Sequence, residues 1–311
     1  MKNFLWATLA MVMCLFTACS DDDDDNKIPE GPTITFAGKL PTKVGNYTFV
    51  YDENNRCIQI KDGSYMYCEI DYDKGVIISD DEETKISFNS KGYITEISGK
   101  WNYEEDGDTY KGDGKISFRY NSNGQLISSS QYSNESGKED GESFSWKGTY
   151  ESTYTWENGN LVKAVIEETD IEDGEKYEYG ATYTIKYSDE KNEVGQNTMA
   201  QAQVLELEDV DILSLIGMLG KASLYFPDSY TDKWYEKDGE QNGENENNYN
   251  MDYTLNEDGT IKTERIDGYS FYSYSYNTVA VEGANGRSLE DNSKVKKLNF
   301  RSFFTRHHAR K

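Results

Sequence analysis

Apolar and polar residues alternate with a period of two along most of the chain. Ile116, Phe118 and Tyr120 interleave with Ser117, Arg119 and Asn121, and Tyr183, Ile185 and Tyr187 with Thr184 and Lys186. Tyr249, Met251, Tyr253 and Leu255 do the same against Asn250, Asp252 and Thr254. Such alternation marks strands with one dry face. At ordinary strand lengths the pattern holds roughly 12–16 of them. An antiparallel sheet of that width must curl, split or close to protect its edges. The expected fold is therefore all-β, a large antiparallel up-and-down barrel-like sheet. One stretch departs from the pattern. Ile212, Leu215, Ile216 and Leu219 share a helical face, with Asp211 placed to cap it and Gly220 to end it. This predicts one short apolar helix, packed on the sheet as a plug or lid. A buried connecting strand is the alternative for so short a run.

The strands come in repeats. YDENNRCIQI from Tyr51, FNSKGYITEI from Phe88, YNSNGQLISS from Tyr120 and WENGNLVKAV from Trp156 share an aromatic anchor, a polar turn and a β-prone run. YSDEKNEVGQ from Tyr187 and LNEDGTIKTE from Leu255 are weaker copies. Aligned on Asn55, Gly92, Gly124, Gly159, Asn192 and Gly259, the turns lie 37, 32, 35, 33 and 67 residues apart. A fixed period in this range means stacked supersecondary units. Each copy reads as a hairpin, because Asn-Gly and Asp-Gly accept the positive φ of tight turns. The polar stretches 104–114, 134–141, 171–176 and 237–248 read as long acidic loops at the opposite end.

Charge and the N-terminus add an address. Of 311 residues 57 are acidic and 32 basic, a net charge of −25. That disfavours nucleic acid, whose phosphates need a positive surface. Residues 1–18 read as a signal peptide, with Lys2 before an apolar stretch. The following Phe16-Thr17-Ala18-Cys19 resembles the lipobox of bacterial lipoproteins, which implies lipidation of Cys19. The departure is Phe16, where Leu is usual, and an ordinary secretory signal is the alternative. Residues 19–32 contain Asp21 to Asp25, a run of like charges that can only be a solvated tether. The barrel-like domain then covers 33–300, and 301–311 is a basic tail. An outward dry face would suit a lipid-embedded pore, and an inward one a water-facing shell. A lipid anchor is superfluous on a spanning barrel, which favours the shell.

The tether CSDDDDD, the hairpin copies and the segment ILSLIGMLG look like an uncharacterised Bacteroidetes lipoprotein family, a domain of unknown function with a porin-like fold. The resemblance spans roughly 33–300 and implies a lipid-anchored outer-membrane protein exposed at the cell surface. YDENNR-type hairpins also resemble the tyrosine–aspartate repeats of Rhs-type shell proteins. Their spacing differs from the present one, so that relation is an analogy.

Candidate chemistry is sparse. His307 and His308 are the only histidines, so no His-based nucleophilic site can be built elsewhere. The chain is expected to be non-catalytic, with no cofactor and no metal. The acidic run 106–114 matches no EF-hand spacing. Cys57 and Cys68, placed opposite each other by a turn at Asp62-Gly63, are either a disulfide or two packed thiols. The weak candidates for ligand contact are Trp101, Trp146, Tyr272, Tyr274 and Tyr276, whose rings either stack a ligand or fill the core. The expected role is that of a monomer binding an extracellular glycan or protein through the acidic loops. The alternatives are a structural envelope scaffold and a carboxylate-dependent glycoside hydrolase.

Overall fold

The computed structural model describes residues 38–278 apart from 80, 81, 106, 208, 209, 239, 240 and 268–270. The signal segment, the tether with Cys19 and the basic tail lie outside these residues. Sixteen strands close into one antiparallel barrel, each paired with its neighbours in sequence and the last with the first. The short ones are β1 (Lys39–Val44), β2 (Tyr47–Tyr51), β3 (Cys57–Asp62), β4 (Tyr65–Asp71), β5 (Val76–Ser79), β6 (Glu82–Phe88), β15 (Ile261–Ile266) and β16 (Phe271–Thr278). The tall wall is β7 (Ile94–Glu105), β8 (Asp108–Tyr120), β9 (Leu126–Glu139), β10 (Glu142–Glu157), β11 (Asn160–Glu172), β12 (Glu175–Lys191), β13 (Tyr225–Asp238) and β14 (Gln241–Leu255). Closure is made by β1 on β16, from Lys39 opposite Thr278 to Val44 opposite Tyr274.

The repeats explain one end of the barrel. At four places a five-residue loop opens on Asp or Asn: at Asp52, Asn89, Asn121 and Asn192. The first side chain accepts the backbone N–H four residues on, at 2.8 to 3.1 Å. A fifth loop starts at Asn256, and the fourth residue of each takes positive φ: Asn55, Gly92, Gly124, Gly195 and Gly259. The Tyr187 copy therefore turns at Gly195, and Asn192 is the loop's first residue. Among the aligned copies, only Asn158-Gly159 is a two-residue turn with both φ positive. Beyond the turn, one carbonyl in five of the six copies accepts a hydrogen bond from an aromatic side chain further along the chain. Tyr72 bonds Cys57 O (3.0 Å), Tyr120 bonds Ile94 O (2.7 Å) and Trp156 bonds Leu126 O (2.7 Å). Tyr187 bonds Leu161 O (2.7 Å) and Tyr276 bonds Ile261 O (2.9 Å). Three of these donors, Tyr120, Trp156 and Tyr187, are themselves anchors of the following copy, and each bond satisfies a carbonyl where the ladder starts.

The opposite rim differs from expectation. Among the described residues no long acidic loops are found there. The polar stretches 104–114, 134–141, 171–176 and 237–248 are strand continuations, paired out to Glu105 with Asp108, Glu139 with Glu142, Glu172 with Glu175 and Asp238 with Gln241. Asp140-Gly141 and Asp173-Gly174 close two of these hairpins with positive φ at both residues. Polar composition does not prevent a strand whose backbone groups are paired on both sides.

The dry face points inward. Ile116 and Phe118 are buried, as are Tyr150 and Tyr154 of β10. Outward, β10 exposes Lys147, Thr149, Glu151, Thr153 and Thr155; β8 exposes Lys111, Lys115 and Arg119; β15 exposes Lys262 and Arg265. Each Lys or Arg at a bilayer midplane would cost about 2–4 kcal/mol, so these outward positions weigh against burial of this wall in lipid.

A sixteen-stranded barrel encloses more space than inward side chains fill. The connection 192–224 between β12 and β13 occupies it at the turn-rich end. It holds two helices where the sequence suggested one: α1 (Met199–Leu205) and α2 (Ile212–Leu215). Val204, Val210, Leu213, Leu215, Met218 and Leu219 are all buried. The anticipated helix 212–219 stops after one turn, Asp211 makes no side-chain cap, and Gly217 takes positive φ. The missed helix α1 is capped by Thr198, whose side chain accepts from Gln201 N.

Candidate functional site

The plug is held by hydroxyls and one carboxylate. Tyr150 donates to Glu206 O (2.6 Å), Tyr154 to Leu205 O (2.9 Å) and Tyr183 to the Glu206 carboxylate. All meet the C-terminal end of α1. At its other end stands Glu264 of β15, fully buried. It accepts from Met199 N (2.8 Å), Ala200 N (2.9 Å) and the Tyr274 hydroxyl (2.5 Å). Burial raises the Glu264 pKa above the ordinary carboxylate value, against the lowering effect of these donors. The Tyr274 hydroxyl is pushed well up, by burial first and by Glu264 second.

This arrangement places the five aromatic candidates. Tyr272, Tyr274 and Tyr276 point at the plug. Gln203 Nε2 reaches the Tyr272 hydroxyl at 3.4 Å, and Gln196 Nε2 reaches that of Tyr276 at 2.6 Å. Trp101 is 2 % exposed and its indole N–H donates to Glu135 Oε1 at 2.8 Å. Trp146 is half-buried with its ring against Gly148. Cys57 and Cys68 are buried free thiols. They do not face each other: the turn is Gly63-Ser64, Asp62 pairs with Tyr65, and a bulge then sets Cys68 opposite Ile60. Burial pushes the Cys57 thiol up to about 12 and raises Cys68 as well.

Above the plug, register brings three strands together in the lumen. Trp146, Gly148 and Tyr150 of β10 lie opposite Glu135, Ser133 and Gln131 of β9. On the other side they lie opposite Glu172, Asp170 and Glu168 of β11. Glu135, Glu168 and Asp170 are all buried. The cavity beside Gly148 measures only ≈ 20 Å³, enough for about one water. Among the described residues no group of His, Cys, Asp and Glu is disposed to hold a metal ion. The outer wall carries an open depression of ≈ 320 Å³ where β3 and β4 part, lined by Arg56, Ile58, Glu69, Asp71, Tyr72 and Ile78. The Arg56 guanidinium sits 4.8 Å from the Tyr72 ring centre and is bonded to Asp52 at 2.7 Å.

The sequence signals for Glu264 and α1 were present. Glu264 is a carboxylate at an inward strand position between Ile261 and Ile266. Thr198 precedes Met199-Ala200-Gln201-Ala202, a run of good helix formers.

No family model matches the chain, and no curated protein matches it. Solved structures do. One is a porin-like protein from Bacteroides vulgatus ATCC 8482, 16% identical, with a TM-score of 0.45, covering 76% of this chain and 99% of that one. Another is a porin-like protein from Bacteroides uniformis ATCC 8492, 12% identical, with a TM-score of 0.23, covering 65% and 91%. The chain is a closed sixteen-stranded antiparallel barrel, and porin-like proteins of Bacteroides are among the solved structures it is similar to.

Proposed function

We propose that this is a lipid-anchored envelope protein whose barrel is a water-facing binding module, neither a pore nor an enzyme. One observation carries the reading: a charged outer wall surrounds a lumen stopped by a buried segment. A pore needs the reverse, an apolar outer band and a wet interior. The lipobox-like Cys19 and the acidic run behind it support anchoring at the outer membrane and display at its surface.

The rim is the binding surface in this reading. Segments 104–108, 138–142, 172–178 and 236–246 carry sixteen Asp and Glu against three Lys. That charge suits a cationic protein surface and repels sulfated or uronic glycans. The five aromatic candidates are engaged inside the barrel, which weakens the sugar-stacking version. A structural scaffold is the second reading, favoured by the density of internal hydrogen bonds around the plug.

The experiment is a pair of measurements on residues 20–311. The reading expects a monomer soluble without detergent and no conductance in planar bilayers. Stepwise channel currents, or precipitation unless detergent is present, would refute it. Palmitate incorporation in cells, abolished by Cys19→Ala, tests the anchor separately.

A further inference from the structure

We propose that the free edge of β14, above the β15–β16 hairpin, takes an extended segment of a cationic partner protein as an added strand. This rests on the binding-module reading above and specifies the partner and how it is held. Pairing between β14 and β15 begins only at Met251 opposite Ile266. From Asn242 to Asn248, β14 is paired with β13 on one side, and among the described residues no strand pairs with it on the other. That edge is about 23 Å long.

Two hydrogen bonds show which main-chain groups face out of it. Asn250 O accepts from Asp267 N (3.0 Å), on the β15 side. Glu246 N donates to the side chain of its neighbour Asn245 (2.9 Å) and is not used by the ladder with β13. In an antiparallel strand both groups of a residue point the same way, and successive residues alternate. Asn242, Glu244, Glu246 and Asn248 therefore turn their N–H and C=O to the free edge. Such a row is a template for another strand. The usual protections are missing: residues 241–250 contain no Pro and no Lys, and their register with β13 runs without a bulge.

Charge selects the occupant. Glu244 and Glu246 are exposed on the outer face, with Lys233 of β13 beside Glu246 at 2.8 Å. A second copy fits badly. Self-pairing centred on Asn245 sets Glu244 against Glu246, and a shift of one residue either way sets a Glu against its own copy. A strand with Lys or Arg at every second position puts opposite charges there instead. The other free edge is Gly99–Glu105 of β7, beyond its last pair with β6 at Ser98. It exposes Lys100 as well as Glu104, so it prefers neither sign. On β14, main-chain bonds hold the added segment and the alternating charges set its register.

The test titrates residues 20–311 with a labelled peptide of about nine residues alternating Lys and Thr, long enough to span the edge. Residues directly opposite an edge-facing residue exchange both main-chain bonds with it, so the Lys amides are the ones used. Methylating the Lys backbone amides should weaken binding at least about ten-fold, and methylating the Thr amides far less. Both peptides keep their charge. Glu246→Pro removes an N–H directed away from the β13 ladder. It should weaken binding at least about ten-fold without lowering the melting temperature, whereas Glu246→Gln should lose no more than about five-fold. Equal binding of the two methylated peptides overturns strand addition and leaves the cationic-partner reading standing. No binding of any peptide overturns both. A dimer of the protein without peptide, lost in Glu246→Pro, assigns the edge to a second copy and also overturns the proposal.

Discussion

Glu264 is the side chain on which docking of the plug depends most. In Glu264→Ala four donors inside the barrel lose an acceptor: Met199 N, Ala200 N and the hydroxyls of Tyr274 and, at 3.5 Å, Tyr253. Met199 N keeps the Tyr274 hydroxyl at 3.2 Å, so three are left unsatisfied. A buried donor left unsatisfied costs about 1–3 kcal/mol. Removing a buried carboxylate relieves part of its desolvation. Taking about 1.5 kcal/mol per donor and returning about 1–2 for the relief leaves a loss of about 3 kcal/mol. For a barrel of this size that lowers the melting temperature by about 6–12 °C. Glu264→Gln keeps the shape and one acceptor, and should lose about half as much.

The pH dependence carries a sign. Glu264 has a folded pKa above its unfolded value, so the native state binds the proton more readily. Its contribution is complete below the unfolded value of about 4.3 and declines as pH rises through the folded one. Glu264→Gln should therefore flatten the stability–pH curve in that window. Thermal melts followed by near-ultraviolet dichroism, with limited proteolysis of 192–224, make the measurement. A Glu264→Ala protein melting within about 2 °C of the parent, with the plug equally resistant to protease, would refute the reasoning.

Three further outcomes follow from the packing. Tyr120→Phe and Tyr187→Phe each leave a carbonyl without its aromatic donor, Ile94 O and Leu161 O, and should cost about 1 kcal/mol in urea unfolding. Gly137→Ala would bring a Cβ to 1.7 Å from Thr109 O, which is backbone and cannot yield. The loss should be well above the roughly 1–2 kcal/mol of backbone strain expected for Gly174→Ala, whose φ is +94° in open space. Cys57 and Cys68 should resist alkylation at about pH 8 in the native state and both react after unfolding without reductant. Finding no reactive thiol in the unfolded chain would mean that they are bridged.

How much of this was legible in the sequence varies with the range of the interaction involved. Alternation at Ile116–Phe118–Tyr120 determined the strands and their dry face, because side-chain direction in a strand is fixed by neighbours two residues away. Turn residues likewise act within about five positions, so a hairpin at each copy could be read directly, although Asn123-Gly124 and Asp258-Gly259 close five-residue loops and not the two-residue turns their composition suggested. What the sequence alone did not determine was which polar residues stay in solvent. The stretch 104–114 looks like a loop by composition, and only pairing across β7 and β8 makes it strand. The bulge that separates Cys57 from Cys68 is likewise a matter of register between chains. Tyr272, Tyr274 and Tyr276 could equally have stacked a ligand, and the tertiary structure turns them onto the plug instead. Closure decided the rest. Once β1 meets β16, the lumen must be filled, and an apolar connection far away in sequence is held there by Glu264 and a ring of tyrosine hydroxyls.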